Sequence, residues 1–259
     1  MSIQPLFDLT GKVAVVTGGG NGIGRACCEL LAEAGATVVV SNRTPETGEA
    51  VAQAIRDKGG KALAVACDVL DDRALERLVE RTVEEFGAIH ILVNNAGGGR
   101  GGHENPFELS AEEFEAIFRL NVFSAWKLCK LVVPHMARAG YGSIVNITSM
   151  ASINKSPNMS AYASSKAALN HMTANLAFDF GPMNVRINCV GPGATRTRAL
   201  STVLTPEIES RMLAHTPIHR LGEPSDIAGA VLYFAAPVSE WVSGQVLFVN
   251  GGGVQTLDS

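Results

Sequence analysis

Short apolar runs rich in β-branched residues alternate along the chain with longer amphipathic segments. Continuous apolar runs of this length are typical of strands that are buried on both faces of a parallel sheet. They predict seven strands, over 12–17, 36–41, 62–67, 89–93, 143–148, 185–190 and 245–250. The segments between them predict helices over 23–34, 46–58, 71–86, 110–139 (straight or bent), 161–180 and 224–236.

Strands that alternate with helices of this length join through right-handed crossovers and form a parallel sheet. We therefore expect an α/β fold in three layers, a doubly wound parallel sheet of seven strands with helices on both faces. No linker divides the sequence, so residues 1–259 are predicted to form a single domain. Within it, residues 198–222 carry scattered apolar side chains, which suit either a mobile lid over a hydrophobic substrate or a satellite core.

A glycine-rich turn joins the first predicted strand to the first helix. Gly18, Gly22 and Gly24 let the backbone approach a ligand closely, and Asn21 and Ile23 lie between these glycines. The turn opens a helix, whose first N–H groups and dipole attract the phosphates of a dinucleotide. A tight turn that binds nothing would look the same, but the position in a doubly wound fold favours a cofactor site.

The residues that follow the second and third strands are placed to contact the adenosine end of a cofactor. An acidic residue after the second strand would favour NAD(H). Asn42 and Arg43 stand there instead, so no carboxylate repels a 2′-phosphate and a guanidinium is available to pair with it. We predict NADP(H) as the preferred cofactor, with NAD(H) as the alternative and a solvated Arg43 as the simpler explanation. Asp68 and Val69 are predicted beside the adenine, although Asp68 would serve equally well as a helix cap.

The fourth predicted strand ends in Asn94-Asn95-Ala96-Gly97, at the same edge of the sheet as the glycine-rich turn. Short side chains there bond to backbone groups and allow a cofactor to approach closely. We expect Asn95, Ala96 and Gly97 to contact the cofactor.

Tyr162 and Lys166 are four residues apart in an alanine-rich helix and so share one helix face. A free phenol has a pKa near ~10, which a neighbouring ammonium group is expected to lower, making the phenol a general acid/base. Ser149 can hold a substrate oxygen against that phenol. The simpler explanation is an exposed helical tyrosine with a solvated lysine beside it.

Composition narrows the class of function. Hydrophobic residues make up 46% and charged residues 18% of the 259 residues, which suits a large buried core. The formal net charge of −4 gives no basic surface for nucleic acid. We see no signal peptide and no membrane-spanning run, and expect a soluble cytoplasmic protein. The five cysteines are predicted to be buried, reduced thiols, and no metal is expected because no ligand spacing is present.

Taken together, the motifs resemble those of the short-chain dehydrogenase/reductase family over nearly the whole chain. The matching residues are Thr17-Gly18-x3-Gly22-x-Gly24, Asn94-Asn95-Ala96-Gly97, Asn121, Ser149, Tyr162-x3-Lys166 and Pro192-Gly193. The resemblance implies an NAD(P)(H)-dependent oxidoreductase with a Rossmann-like sheet, assembled as a homotetramer. Trp126 and Trp241 would either supply an interface for that assembly or pack internally.

The resemblance also implies a catalytic set of Asn121, Ser149, Tyr162 and Lys166. Tyr162 would exchange a proton with the substrate while hydride moves to or from C4 of the nicotinamide. Lys166 would also bond the nicotinamide ribose, and Asn121 would keep a water that relays protons from it. The simpler explanation of Asn121 is an amide that bonds helix backbone.

Four further residues would lie around the nicotinamide by the same resemblance: Pro192, Gly193, Thr195 and Thr197. Thr197 would hold the carboxamide and fix the face of the ring. Thr195 departs from the apolar β-branched residue that is frequent at this position in the family.

Within the family, a closer resemblance is to the bacterial 7-alpha-hydroxysteroid dehydrogenases. It rests on the stretches 94–99, 120–124, 147–151, 160–168, 177–181, 205–208, 215–222, 241–245 and 251–255. It implies that a secondary hydroxyl of a hydroxysteroid or bile acid is interconverted with a ketone. Residues 100–104 differ from the loop of that group, and the pair Asn42-Arg43 departs from the NAD-type acidic residue of some of its members.

Two other functions remain open. The same motifs suit a 3-oxoacyl-carrier-protein reductase or a broad alcohol/ketone reductase, although few basic residues are available to line the cleft mouth for a carrier protein. A non-enzymatic NADP(H)-sensing protein would need no acid/base, so the intact catalytic set argues against it.

Overall fold

A single sheet of seven parallel strands forms the centre of the molecule. The computed structural model describes residues 4–99, 104–197, 200 and 204–253. The strands are β1 Val13–Thr17, β2 Thr37–Asn42, β3 Lys61–Ala66, β4 Ile91–Asn94, β5 Gly142–Ile147, β6 Val185–Pro192 and β7 Val246–Val249. Their order, β3-β2-β1-β4-β5-β6-β7, changes direction between β1 and β4 as doubly wound sheets do. The predicted fold class is confirmed.

Helices cover both faces of this sheet. They are α1 Gln4–Phe7, α2 Gly22–Glu33, α3 Pro45–Asp57, α4 Asp72–Phe86, α5 Ala111–Phe118, α6 Ser124–Ala139, α7 Ser160–Phe180, α8 Pro206–Leu213 and α9 Pro224–Ala235. The sequence pattern missed α1 and the single 3₁₀ turns Met150–Ser152, Gly181–Met183 and Pro237–Ser239.

Alternate residues of β1 enter hydrophobic cores on opposite faces of the sheet. Ala14 and Val16 belong to the core built with α2, α3 and α9. Val13 and Val15 belong to the core built with α4 and α6. Because side chains alternate along a strand, a strand between two helix layers must be apolar throughout, which explains its unbroken apolar pattern.

β6 continues two residues past its predicted end. The pattern predicted a strand that ends at residue 190, but Gly191 and Pro192 stay in register with β7, opposite Phe248 and Val249. A Cβ on Gly191 would lie 2.5 Å from the Phe248 ring, so this glycine makes room for a neighbour on the next strand. Pro192 is the last strand residue, where its missing N–H does least harm to the ladder.

A wider, π-helical turn over Arg119–Phe123 divides the helix predicted over 110–139 into α5 and α6. α5 starts with the capping box that its sequence indicates, in which Ser110 and Glu113 bond each other's backbone N–H. Single π-helical turns are frequent at functional sites, and this one carries Asn121.

The predicted lid 198–222 is described only in part, since residues 198, 199 and 201–203 lie outside the described residues. α8 within it has no buried side chain. The apolar residues of α8, Ile208, Met212 and Leu213, are half-buried, whereas Ile218 is exposed and Leu221 is buried. The lid and the satellite core both stay predictions for this segment.

All five cysteines are buried free thiols, as predicted. Among the residues described, no helix is long and apolar enough to cross a membrane. Within the same residues, no three His, Cys, Asp or Glu side chains come together as metal ligands would.

Candidate active site

The predicted site residues gather where the central strands end. Gly18 follows β1, Asn95 follows β4, Ser149 follows β5 and Gly193 follows β6. Because the strands are parallel, their carboxyl ends share one edge of the sheet. In open α/β sheets a ligand binds in the crevice outside this edge, at the point where the strand order reverses.

Glycine shapes the turn between β1 and α2. Gly18 and Gly22 have φ of +64° and +51°, in the left-handed region that favours glycine. A Cβ on Gly24 would lie 2.2 Å from the carbonyl oxygen of Gly18. The turn therefore keeps bare backbone at the start of α2.

Asn21 and Ile23 complete the start of α2. Asn21 is the N-cap residue, with extended backbone (φ −151°, ψ 162°), and its side chain makes no capping bond. The first N–H groups of a helix have no partner within the helix, so those of Gly22 and Ile23 are available to phosphate oxygens. This chemistry fits the diphosphate of a dinucleotide.

Thr17 ties the loop after β4 to the glycine-rich turn. Its hydroxyl accepts hydrogen bonds from the N–H groups of Asn95 and Ala96, each at 3.0 Å. The Asn95 amide donates to the carbonyl oxygens of Thr17 at 2.9 Å and Gly18 at 3.2 Å. Asn95 thus joins the two loops that were predicted to hold the cofactor.

At the end of β2, the side chains of Asn42 and Arg43 differ in whether they form hydrogen bonds within the protein. The Asn42 amide donates to the Thr44 carbonyl oxygen at 2.9 Å and to Thr47 Oγ1 at 2.6 Å. Arg43 is exposed and makes no hydrogen bond or ion pair within the described ranges. Its guanidinium is available to an anion.

Asp68 does not cap α4. Its carboxylate accepts a hydrogen bond from the Leu70 N–H at 3.0 Å. The cap of α4 is Asp71, which accepts from the Arg73 N–H at 2.9 Å. The helix-cap alternative for Asp68 is therefore wrong, and Val69 beside it packs half-buried against the core.

Lys166 is a buried cation, not a solvated one. Its side chain is 4% exposed, and Nζ donates to the Ile147 carbonyl oxygen at 2.9 Å. Burial lowers the pKa of Lys166 from 10.5 to about 8, because the charged form loses its hydration. The simpler explanation, a lysine in solvent, is wrong.

The pKa of the Tyr162 phenol is raised, contrary to the expectation that Lys166 lowers it. Burial is the main cause and the carboxylate of Glu104 adds to it, while a hydrogen bond with the Ser149 side chain acts in the opposite direction. The Lys166 Nζ lies 5.8 Å from the centroid of the phenol ring and is engaged by Ile147. At that distance the desolvation of the phenol dominates its pKa.

Ser149 meets Tyr162 from the end of β5. Its hydroxyl accepts from the Ala151 N–H at 3.1 Å, and the Ser152 hydroxyl donates to its carbonyl oxygen at 2.6 Å. These bonds belong to the 3₁₀ turn Met150–Ser152, which fixes the serine beside the phenol.

The Asn121 amide bonds the loop after β4 instead of helix backbone. Its Oδ1 accepts from the Gly98 N–H at 2.9 Å, and its Nδ2 donates to the Gly98 carbonyl oxygen at 2.8 Å. Nδ2 also donates to Ser165 Oγ at 3.1 Å. Asn121 therefore connects the π-helical turn, the loop and the helix that carries Tyr162.

Two glycines of that loop touch the catalytic side chains. A Cβ on Gly97 would lie 2.7 Å from Asn121 Oδ1 and 3.1 Å from Lys166 Nζ. A Cβ on Gly99 would lie 2.9 Å from the Tyr162 ring. Sequence reasoning found Gly97 but missed Gly99, although a run of three glycines at 97–99 signalled a close approach.

The segment after Pro192, the last residue of β6, turns back towards the glycine-rich turn. The Gly193 N–H donates to the Val249 carbonyl oxygen at 2.9 Å. The buried Thr195 hydroxyl donates to the Gly193 carbonyl oxygen at 3.0 Å. A Cβ on Gly22 would lie 3.5 Å from Thr197 Cγ2, so Thr197 faces the predicted phosphate site.

Comparison with known proteins agrees with this geometry. A protein-family model described as enoyl-(acyl carrier protein) reductase matches residues 18–253. The chain belongs to the short-chain dehydrogenase/reductase family. This confirms the resemblance stated above, and makes the protein an oxidoreductase of that family.

Individual members of the family match the chain along nearly its whole length. The 7alpha-hydroxysteroid dehydrogenase of Escherichia coli (strain K12) is 48% identical over 250 residues, which cover 96% of this chain and 97% of the relative. That of Clostridium sardiniense is 40% identical over 245 residues, covering 94% of each chain. A solved structure described as 7 alpha-hydroxysteroid dehydrogenase complexed with NADH and 7-oxo glycochenodeoxycholic acid has a TM-score of 0.95 and 47% identity, and the match covers 100% of both chains.

Glu104 is a residue of this dehydrogenase/reductase site that sequence reasoning missed. In the sequence it stands at the end of the atypical stretch 100–104, of which residues 100–103 lie outside the described residues. The structure buries its carboxylate at the start of α7, where Oε2 accepts from the Ala161 and Tyr162 N–H groups. No local sequence signal links Glu104 to a helix that begins 56 residues later.

Proposed function

We propose that the protein is an NADP(H)-dependent hydroxysteroid dehydrogenase, which interconverts a secondary hydroxyl and a ketone on a steroid or bile acid. The observation that carries the proposal is the half-buried Tyr162 phenol, hydrogen-bonded to Ser149 and one helix turn from the buried Lys166 ammonium. Relatives that match nearly the whole chain and are described as 7alpha-hydroxysteroid dehydrogenases support the substrate class.

The cleft edge offers complementary groups to each part of a nicotinamide dinucleotide. The start of α2 presents N–H groups to the diphosphate, and Asp68 and Val69 lie on the adenine side. Arg43 is an exposed cation after β2, where no carboxylate opposes a 2′-phosphate. A cation after β2, in place of a carboxylate, supports NADP(H) over NAD(H). We assign the carboxamide end to Thr197.

The acid/base step follows from the position of the phenol. Bound nicotinamide would supply or accept the hydride. Ser149 and Tyr162 hold the substrate oxygen by hydrogen bonds. In oxidation Tyr162 takes the hydroxyl proton, and in reduction it gives a proton to the oxygen of the ketone. Because burial raises the pKa of Tyr162, the phenol is protonated at neutral pH and ready to act as the acid.

Lys166 and Asn121 support this step. Lys166 supplies positive charge below the phenol and a donor for the nicotinamide ribose. Asn121 holds the loop at Gly98 and Ser165 on α7 in one network, next to the place where a relay water would lie. We further propose that residues 198–222 close over a hydrophobic substrate, and that the enzyme is a cytoplasmic homotetramer.

A substrate screen tests the proposal. Purified protein is assayed for NADP+ reduction with 3-, 7- and 12-hydroxylated bile acids and with hydroxysteroids, and with NAD+ in parallel. We expect turnover with a bile acid, and loss of that turnover in Tyr162→Phe. Turnover only with 3-oxoacyl thioesters or simple ketones would replace the steroid by another substrate class. Cofactor binding without turnover on any panel would indicate a sensing protein.

A further inference from the structure

Glu104 holds the start of the catalytic helix from outside the helix. The residue lies in the segment between β4 and α5. It pairs with the segment before α7 through one isolated parallel bridge, between Glu104 and Met159. Its N–H donates to the Asn158 carbonyl oxygen at 3.0 Å. This bridge directs the Glu104 side chain under the first turn of α7.

α7 has no cap of its own. Its N-cap residue, Met159, makes no side-chain capping bond. Glu104 Oε2 takes that place, accepting from the Ala161 N–H at 2.9 Å and from the Tyr162 N–H at 3.0 Å. A carboxylate that accepts two N–H groups at a helix start satisfies orphan donors and complements the helix dipole. The backbone of the catalytic tyrosine is thus anchored by this one side chain.

The burial of Glu104 is unusual for a residue whose only task is to cap. Its side chain is 1% exposed, and Oε1 has no hydrogen-bond partner in the part of the chain that the structure describes. A buried carboxylate oxygen without a partner has a high desolvation cost. A glutamine would retain an acceptor for the two N–H groups without burying a charge, so the charge itself calls for an explanation.

The charge acts on the phenol. The Glu104 carboxylate is the only ionisable group of the described residues that contributes to raising the pKa of Tyr162, after burial itself. From the same helix Lys166 approaches the ring, and from β6 Cys189 faces Lys166. Elsewhere against α7, the carboxylates at 112 and 115 on α5 and the Arg119 guanidinium on the π-helical turn are exposed, and Glu113 is engaged in the capping box of α5.

We propose that Glu104 is a positioning residue for the proton transfer: its buried carboxylate anchors the Tyr162 backbone in the cleft and places a negative charge at the start of the catalytic helix. The inference deepens the proposed function and rests on it for the turnover readout only. Residue Glu104 contacts the backbone of Tyr162 and acts through it, not on the substrate.

Two substitutions separate the anchor from the charge. Glu104→Ala removes both acceptor and charge, and Glu104→Gln keeps an acceptor oxygen for the two N–H groups. We expect kcat to fall about 10- to 100-fold in Glu104→Ala, since a displaced catalytic group loses its alignment. In Glu104→Gln, kcat should stay within about threefold of the original protein at its optimal pH. The KM for the cofactor should change less than kcat in either variant, because the bonds of Glu104 go to residues 158–162 and not to the glycine-rich turn or to residues 94–97.

Two readouts need no substrate and so remain valid if the steroid proposal fails. Hydrogen exchange of a peptide covering residues 160–166 should be at least about tenfold faster in Glu104→Ala and unchanged in Glu104→Gln. An ultraviolet titration of tyrosine, with Tyr162→Phe subtracted, should show the Tyr162 midpoint about half a pH unit or more lower in Glu104→Gln. A purely structural cap would leave that midpoint where it is.

Ser110→Ala is the matched control, because Ser110 caps the exposed start of α5 and touches no predicted site residue. It should lower stability as a lost cap does, while leaving kcat and the Tyr162 titration unchanged. Equal loss of kcat in Glu104→Ala and Glu104→Gln would overturn the anchor, as would unchanged exchange in Glu104→Ala. An identical tyrosine titration in Glu104→Gln would overturn the role of the charge. If Glu104→Ala does not fold, Glu104→Gln alone must keep kcat and shift the titration, or the inference fails.

Discussion

The acid/base pair is defined by burial more than by the distance between its two members. Tyr162 and Lys166 share a helix face, but Nζ bonds the Ile147 carbonyl oxygen and lies 5.8 Å from the centroid of the phenol ring. Burial raises the pKa of Tyr162 and lowers that of Lys166 to about 8. Both shifts favour the neutral forms, as expected when ionisable groups leave water.

The raised pKa of Tyr162 predicts different pH profiles for the two directions. Reduction needs the protonated phenol, so its rate should hold through neutral pH and fall only at alkaline pH. Oxidation needs the deprotonated phenol, so kcat/KM should climb with pH from about 7 towards the raised pKa. Both profiles are measured with one hydroxysteroid and its ketone. Tyr162→Phe should lower both rates by about 10² to 10⁴; an oxidation rate that is flat from pH 7 upwards would contradict this assignment.

In our proposal Arg43 sets the preference for NADP(H) over NAD(H). Because its side chain is exposed, it can be substituted without disturbing the packing of the protein. Arg43→Ala should raise the KM for NADP+ by about tenfold or more, since a charge-assisted bond to phosphate is lost, while the KM for NAD+ stays nearly constant. Steady-state kinetics with both cofactors measures the ratio. Lys58→Ala is the control, because it removes an exposed positive charge from the opposite end of α3. If the ratio of the KM values for NADP+ and NAD+ is the same in Arg43→Ala and Lys58→Ala, another residue discriminates between the two cofactors.

At the scale of elements, the prediction from sequence succeeded where structure is dictated locally. The strands of the sheet follow from apolar runs, and the capping box at Ser110 follows from residues three apart. The prediction failed where a residue distant in the sequence determines the local structure. β6 continues past its predicted end at residue 190, because Gly191 accommodates Phe248 of the neighbouring strand.

The same distinction holds for the candidate site. Motif spacing identified Ser149, Tyr162 and Lys166, and the structure brings them together. The spacing could not reveal the sign of the Tyr162 pKa shift, because desolvation depends on everything that packs around the phenol. Nor could it reveal Glu104, whose bond to the start of α7 spans 57 residues.

The loop after β4 and the π-helical turn fit each other with no space to spare, and Gly97 tests that fit. In Gly97→Ala the new Cβ would lie 2.7 Å from Asn121 Oδ1 and 3.1 Å from Lys166 Nζ. We expect kcat to fall about 100-fold, because a displacement of about 1 Å misaligns the catalytic groups. Stability should fall by only about 1–3 kcal/mol, as for other overpacked sites.

Gly229→Ala is the matched control for this substitution. Gly229 lies within α9, and a Cβ there would meet no atom within 4 Å. It should raise stability by about 0.4–1 kcal/mol and leave kcat unchanged. Activity and chemical denaturation are measured on both variants. Normal turnover in Gly97→Ala would mean that the loop moves freely relative to Asn121.

At the scale of the whole molecule, large apolar side chains remain on the surface after both cores are filled. Trp241 is 100% exposed and Phe178, near the end of α7, is 85% exposed. A Cβ on Gly244 would lie 3.2 Å from Ala177 Cβ, so the segment that carries Trp241 runs along this end of α7. The alternative that Trp241 packs internally is therefore wrong for a single chain.

A second copy of the chain is the partner that the family resemblance implies for this surface. Burying an indole and a neighbouring ring removes large apolar areas from water and typically anchors an interface. Trp241→Glu should therefore convert the expected tetramer into smaller species, whereas Trp241→Phe should preserve it. Light scattering after size-exclusion chromatography measures the mass, and circular dichroism checks that the fold is retained. If Trp241→Glu keeps the mass of the original protein, the interface lies elsewhere, with the half-exposed Trp126 on α6 as the next residue to substitute.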